Sequence, residues 1–166
     1  LPYSKESFSV PSSLYIIGTM NTTDRSTGAI DYAVRRRFAF ITLEANREVV
    51  EGSIQDKDVR TKALALFDEI NGKGAEDKTS FIATHQAGDF DLEDLKVGHS
   101  YFIAKDLPEL QRKMRYEVIP LLREYIKDGI LQAKEGDGEY FSAWEQGKCR
   151  GPKQAEVSKD PEADKE

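Results

Sequence analysis

The sequence predicts an α/β segment followed by an α-helical domain, and three observations carry that prediction. Near the N-terminus two apolar, strand-like runs, Leu14–Gly18 and Phe38–Leu43, flank a stretch of helical periodicity. Farther on, Glu48–Ile70 and Leu107–Tyr125 each place apolar residues at three-and-four spacing. Beyond about Gly147 the chain is Lys, Glu, Asp, Pro and Ser with almost no apolar side chains.

Leu14-Tyr15-Ile16-Ile17-Gly18 is bounded by Pro11-Ser12-Ser13 and by the polar Asn21 loop, the pattern of a strand buried on both faces of a parallel sheet. From Ser26 to Arg37, Ala29, Ile30, Ala33 and Val34 recur at helical spacing; Phe38–Leu43 then reads as a second strand, rich in aromatic and β-branched residues. Two strands alone do not make a stable buried sheet, so the chain is expected to be part of a larger α/β protein. Val59, Ala63, Leu66, Phe67 and Ile70 mark one helix ending at Asn71-Gly72. Leu107, Leu110, Met114, Val118, Leu121, Leu122 and Tyr125 mark another. Pro120 interrupts it, predicting a kink or a new helix start. Between them, Phe81–Phe102 reads as loops with short helical or extended pieces. The expected divisions are 1–46 for the α/β part, 47–146 for the helical domain and 147–166 for a disordered polar tail.

Composition narrows the function. No apolar run approaches the roughly 20 residues of a membrane helix, and no signal-peptide pattern opens the chain, so a cytoplasmic protein without membrane partners is expected. Cys149 has no second cysteine to pair with. The net charge of −6 argues against a general nucleic-acid binder, with Arg35, Arg36 and Arg37 as one local basic spot.

The richest stretch is Met20-Asn21-Thr22-Thr23-Asp24-Arg25-Ser26, which follows the first strand directly and opens the helix that ends in Arg35-Arg36-Arg37-Phe38. Ligands of open α/β sheets bind beyond the carboxyl ends of strands, where an amide such as Asn21 can orient a water or a phosphate oxygen. Asn21, Thr22 and Asp24 equally suit simple helix capping. Arginines at a helix C-terminus complement its dipole for about 0.3 to 1 kcal/mol each, but three guanidiniums exceed that need. Asp31 lies four residues before Arg35 and can pair with it, leaving Arg36 and Arg37 to reach outward, one as an arginine finger on a transferring phosphoryl group.

These residues, with Asp31-Tyr32-Ala33-Val34 between them, closely resemble the signature of the McrB family, the AAA+ GTPase subunits of McrBC-type, 5-methylcytosine-specific restriction systems. Gly98-His99-Ser100-Tyr101-Phe102 and Ile119-Pro120-Leu121-Leu122-Arg123-Glu124-Tyr125 resemble segments of the same family's helical lid, so the resemblance spans Ser13 to Ile126. It implies the end of an AAA+ parallel-sheet core followed by the AAA+ lid. Asn21 would be the sensor-1 residue near the γ-phosphate, and Asp24 an active-site participant supported by Arg25. Arg36 and Arg37, oriented by Asp31 beside Arg35, would act in trans on the neighbouring protomer's nucleotide. Gly98, His99 and Ser100 would face the nucleotide from the lid. By the same resemblance the full-length protein binds GTP (or ATP) with Mg²⁺ and forms a homo-oligomeric ring, a hexamer. It works with a McrC-like nuclease subunit and meets DNA through a separate N-terminal domain.

No GxxxxGK[ST] loop and no strand ending in paired acids precedes Asn21, so this chain by itself is expected neither to bind nucleotide tightly nor to hydrolyse it. No Arg near Gly98 offers a charged second sensor. Two other readings stay open: an ATP-dependent AAA+ remodelling motor of the MoxR/dynein-like or chelatase-like kind, and a non-catalytic helical interaction module. His85 and His99, without neighbouring Cys, form no metal set, and a hydrogen-bonded role within the lid is expected for His99. Tyr15, Phe40, Phe67, Tyr101, Phe102, Tyr116 and Tyr125 read as core rather than as a stacking platform, and Asp89, Asp91, Glu93 and Asp94 as a solvated face.

Overall fold

The computed structural model describes Ser9 and residues 11–19, 31–74 and 77–151. The chain divides into two units, Leu1–Ala39 and Phe40–Glu166. In the first, the carboxylate of Asp31 accepts the Ala33 N–H at 2.9 Å and caps a single-turn helix, α1 (Tyr32–Arg35). Leu14–Gly18 forms no strand, and neither does Phe38–Leu43 across the boundary between the units. Ile17 is 92% exposed and Leu43 89%. High β-propensity alone does not make a strand: it expresses fit to a half-buried pleated surface, and neither segment has a ladder among the described residues. The expected α/β architecture is therefore not formed there. The rest of the helix predicted over Ser26–Arg37 lies outside the described residues.

The second unit is helical. Asn46 caps α2 (Arg47–Ser53) by accepting from Glu48 N at 2.8 Å and Val49 N at 3.2 Å. Where the periodicity predicts one helix over 48–70, the chain breaks at Ile54. That residue is extended and buried, and Asp56 restarts the helix as α3 (Lys57–Asn71), accepting from Asp58 N and Val59 N at 2.9 Å each. A short acidic side chain competes for backbone N–H groups better at a cap than inside a helix. Gly72 ends α3 as predicted, at φ +92°, where a side chain would be strained and its Cβ would stand 3.1 Å from Asp77.

Three short pieces follow: α4 (Phe81–His85), α5 (Leu92–Leu95) and a 3₁₀ turn at His99–Tyr101. Next, α6 (Leu107–Lys113), a π-helical turn (Met114–Val118) and α7 (Ile119–Lys127) run on without interruption. Pro120 sits in the first turn of α7, immediately after the π turn. Having no N–H to offer the carbonyl four residues back, it is accommodated by locally widened winding rather than by a gap. Residues 85–87 and 130–132 are joined by one antiparallel bridge, Gln86 to Leu131, with Ala87 N donating to Ile130 O at 3.0 Å.

Sequence periodicity does not single out α8 (Asp137–Glu145), yet this helix supplies Trp144, which is fully buried. Trp144 packs edge-on against Phe81 at 5.1 Å between ring centroids, and Phe67 meets Phe102 at the same distance. Around them lie Ala63, Leu66 and Ile70 of α3 with Leu110, Met114, Val118 and Leu122. Each such aliphatic or aromatic side chain contributes roughly 1.5 to 3 kcal/mol on burial. Of the residues read as core aromatics, Phe67 and Phe102 are buried and Tyr101 and Tyr125 pack against the core, whereas Tyr15, Phe40 and Tyr116 are exposed.

Residues 147–151, the first of the segment expected as a polar tail, pack on the helical unit. Gly147, at φ +68°, lies so close to α6 that a Cβ would sit 2.9 Å from Leu107. Arg150 N and Gly151 N donate to the Glu69 carboxylate at 3.0 and 2.8 Å. Trp144 Nε1 donates to the same carboxylate at 2.7 Å, so one acidic side chain of α3 ties down both α8 and the segment after it. Residues 152–166 lie outside the described residues.

Candidate functional site

The predicted site residues fall in both units. Asn21, Asp24 and Arg25 lie outside the described residues. Asp31, Arg35, Arg36 and Arg37 are exposed on and just after α1. The Asp31 carboxylate is engaged in capping α1. The exposed Arg37 guanidinium lies along its own helix, Nη1 donating to Ala33 O at 3.0 Å. That contact uses the unsatisfied carbonyls every helix C-terminus presents.

In the helical unit, Gly98, His99 and Ser100 form a turn held from three sides. Before it, the side-chain amide of Asn71, 3% exposed, pairs with both backbone groups of Val97: Nδ2 donates to Val97 O at 2.9 Å and Oδ1 accepts from Val97 N at 2.8 Å. After it, the Lys113 ammonium donates to Ser100 O at 2.9 Å and Ile103 O at 2.7 Å, joining the turn to α6. From the side, Asn46 N donates to His99 Nδ1 at 3.3 Å. A backbone N–H aimed at Nδ1 makes that nitrogen the acceptor and assigns the ring proton to Nε2.

Asn46 is itself the cap of α2, and its neighbour Arg47 forms a two-point pair with Asp68 of α3, Nε to Oδ1 at 2.8 Å and Nη2 to Oδ2 at 3.3 Å. Hydrogen bonding to Asp68 holds the Arg47 pKa above its ordinary value, outweighing the opposing effect of burial. The start of the helical unit and the Gly98–Ser100 turn are thereby fastened to one framework. His99 is hydrogen-bonded to the residue that caps α2.

Asn46, Asn71 and Lys113 are absent from the predicted site. Asn71 has a visible signal, an amide directly before a helix-ending glycine. The partners of Asn46 and Lys113 are 53 and 13 residues distant, respectively, and no local pattern announces them.

His85 has a different role. It is buried, stacked on Phe81 at 3.9 Å, with Nδ1 2.6 Å from Phe81 O and Nε2 3.0 Å from Asp137 Oδ1. It joins α4 to the start of α8. Among the described residues no three His, Cys, Asp or Glu side chains gather as a metal-binding group, and no helix is long and apolar enough to cross a membrane.

Comparison with known proteins supplies the context for this turn. The family described as McrB, alpha-helical lid domain, matches residues 84–134, from the end of α4 through α7. The type IV methyl-directed restriction enzyme EcoKMcrB subunit of Escherichia coli (strain K12) is 31% identical over 154 residues, covering 77% of this chain. The chain spans 29% of that protein's length. No solved structure matches. The matched lid contains the whole Gly98–Ser100 turn and its Lys113 anchor, and the chain belongs to the McrB family.

Proposed function

We propose that this chain is the lid, with the adjoining end of the AAA+ core, of a McrB-like NTPase that uses GTP with Mg²⁺ to power modification-dependent DNA restriction. The observation carrying the reading is the match of residues 84–134 to the McrB lid, in a chain whose Met20–Phe38 stretch also resembles the family signature. In this reading residues 1–46 complete a parallel sheet whose other strands are supplied by the rest of the full-length protein. The exposed apolar faces of Leu14–Ile17 and Phe38–Leu43 are what such strands would cover.

Asn21 places the attacking water, with Asp24 and Arg25 supporting its loop. Arg36 and Arg37 stabilise the charge developing on the nucleotide of a neighbouring protomer in a hexameric ring, where a guanidinium supplied in trans contributes several orders of magnitude in rate. The phosphate-cradling loop and the Mg²⁺ ligands belong to the rest of the protein, so the 166-residue chain alone turns over no nucleotide. A separate nuclease subunit cuts the DNA, and another domain recognises it, in keeping with the methyl-directed restriction named for the bacterial relative. A cytoplasmic location follows from that role.

The test is made in the full-length protein. Arg36→Ala and Arg37→Ala should each lower assembly-stimulated GTP hydrolysis by at least about 10³-fold while nucleotide affinity changes little. Unchanged turnover in both variants would remove the arginines from the mechanism, and ATP turned over in preference to GTP would move the protein to the remodelling-motor class.

A further inference from the structure

The two histidines differ in what their ring nitrogens meet. At His99 a backbone N–H points at Nδ1, whereas at His85 both nitrogens face acceptors. His85 Nδ1 lies 2.6 Å from Phe81 O, a carbonyl that can only accept, so a proton sits on Nδ1. The Thr84 hydroxyl, 3.0 Å from the same nitrogen, has the carbonyls of Ser80 and Phe81 to donate to, at 2.8 and 3.0 Å, which leaves its lone pairs for the ring. Nε2 lies 3.0 Å from Asp137 Oδ1, and a second proton lies between them. Imidazole is the stronger base of the two, so that proton belongs to the ring. Stacking on Phe81 at 3.9 Å also favours the charged ring over the neutral one.

Few other charges reach this junction. α4 has no further ionisable side chain. Lys134 donates through its ammonium to Thr84 O at 2.7 Å and through its backbone N–H to Asp137 Oδ2 at 2.9 Å. α8 brings Asp137, and Tyr140 against Phe81. On the other sides α3 and α5 pack on α4. In α3, Asp68 is engaged by Arg47 and Glu69 by Trp144, Arg150 and Gly151; α5 carries Glu93, paired with Lys96, and Asp94. The charge at the ring is therefore balanced by Asp137 and opposed by Lys134.

The pair also spans a boundary. His85 lies inside the segment matched to the McrB lid, and Asp137 opens α8, which lies beyond it. No side chain caps α8, so the bond to His85 is what fastens its start, while Trp144 anchors its other end on Phe81 and Glu69.

We propose that His85 and Asp137 form a pH-sensitive clasp. The doubly protonated ring holds the start of α8 against α4, and loss of the Nε2 proton to water as pH rises lets that start go. Without that proton a nitrogen lone pair faces a carboxylate oxygen at a residue only 4% exposed, and neither acceptor has water to turn to. The fastening is present on the acid side of the ring's titration and lost on the alkaline side. It stands apart from the NTPase reading.

Hydrogen exchange of the 166-residue chain, read by NMR at about pH 6 and about pH 8.5, on either side of the ordinary imidazole value, tests the clasp. The measured quantity is the protection factor of the Tyr140 and Phe141 amides in α8, relative to those of Ala63 and Leu66 in α3. In wild type this ratio should fall at least about tenfold from the lower pH to the higher, the loss of one hydrogen bond between charged groups. Asp137→Asn keeps the shape of the side chain and removes its charge, and its ratio should be the same at both pH values. A ¹⁵N spectrum of the wild-type ring at about pH 6 should show protons on both His85 nitrogens. A wild-type ratio that does not move with pH, an equal tenfold fall in Asp137→Asn, or a single proton on the His85 ring in that spectrum would each overturn the proposal.

Discussion

Leu14–Ile17 and the Leu66–Ile70 end of α3 are about equally apolar, yet they meet opposite fates. Leu14 is 55% exposed and Ile17 92%, whereas Leu66 and Ile70 are wholly inaccessible. Side-chain chemistry does not separate them; neighbours do. The α3 residues share one buried core with Leu110 of α6, Trp144 of α8 and Phe102 within the same unit, so their burial is complete inside this chain. The N-terminal run finds no such surface among the described residues. An apolar strand is a statement about a sheet, and a helix stripe can be satisfied by a single partner helix.

The strongest way to break this comparison is to truncate one residue from each side of it. Trp144→Ala should cost about 3 to 5 kcal/mol in urea unfolding of the 166-residue chain, since it opens a cavity against Phe81 and deprives Glu69 of a donor. Ile17→Ser should change stability by no more than about 0.5 kcal/mol in the same chain, as an exposed site does. A loss of 2 kcal/mol or more at Ile17 would mean that the N-terminal run buries its surface within this chain after all.

A smaller effect tests how the helical unit closes. Glu69→Gln keeps the size of the side chain but removes the charge that receives Trp144, Arg150 and Gly151, and should cost about 1.5 to 3 kcal/mol. It also has a chemical signature. Cys149 is exposed as a residue, yet its thiol lies against Glu69, and desolvation first, with the Glu69 carboxylate second, pushes its pKa up to about 12. Alkylation of Cys149 at mildly alkaline pH should be slow for an exposed thiol and accelerate several-fold in Glu69→Gln, because the thiolate is the reacting species. Equal rates in the two proteins would show that the segment is not latched.

What could be read in the sequence follows the same division. The Asn71-Gly72 stop, the adjustment at Pro120 and the core stripe of α3 are local, and each was legible because the determinant lies within a few residues of its effect. The break at Ile54 was hidden because an apolar residue in a helical pattern gives no sign that it will leave the helix to fill the core. Tyr140, Phe141 and Trp144 carried a helical spacing, but Gly136, Gly138 and the surrounding charges masked it. At the candidate site, Gly98–Ser100 was singled out only through family resemblance. The framework that holds it depends on contacts between distant residues, Asn46 with His99 and Asn71 with Val97, which periodicity does not encode.

The smallest predicted effect concerns a contact made without apolar burial. Where α3 ends, Asp77 accepts hydrogen bonds from Lys73 N at 2.9 Å, Thr79 N at 2.8 Å and Thr79 Oγ1 at 2.6 Å. The Thr79 hydroxyl chiefly, then the two backbone donors, hold its pKa below the ordinary 3.8. A carboxylate whose folded-state pKa is depressed adds stability that is fully present above its unfolded value and is lost as pH falls through the folded one. Unfolding midpoints of wild type should therefore decline more steeply than those of Asp77→Asn as pH drops from about 5 toward 2, and the two should run parallel above that window. Parallel curves through the acid range as well would mean that the turn after Gly72 is held by backbone geometry alone, placing it with the apolar contacts of the helical unit rather than apart from them.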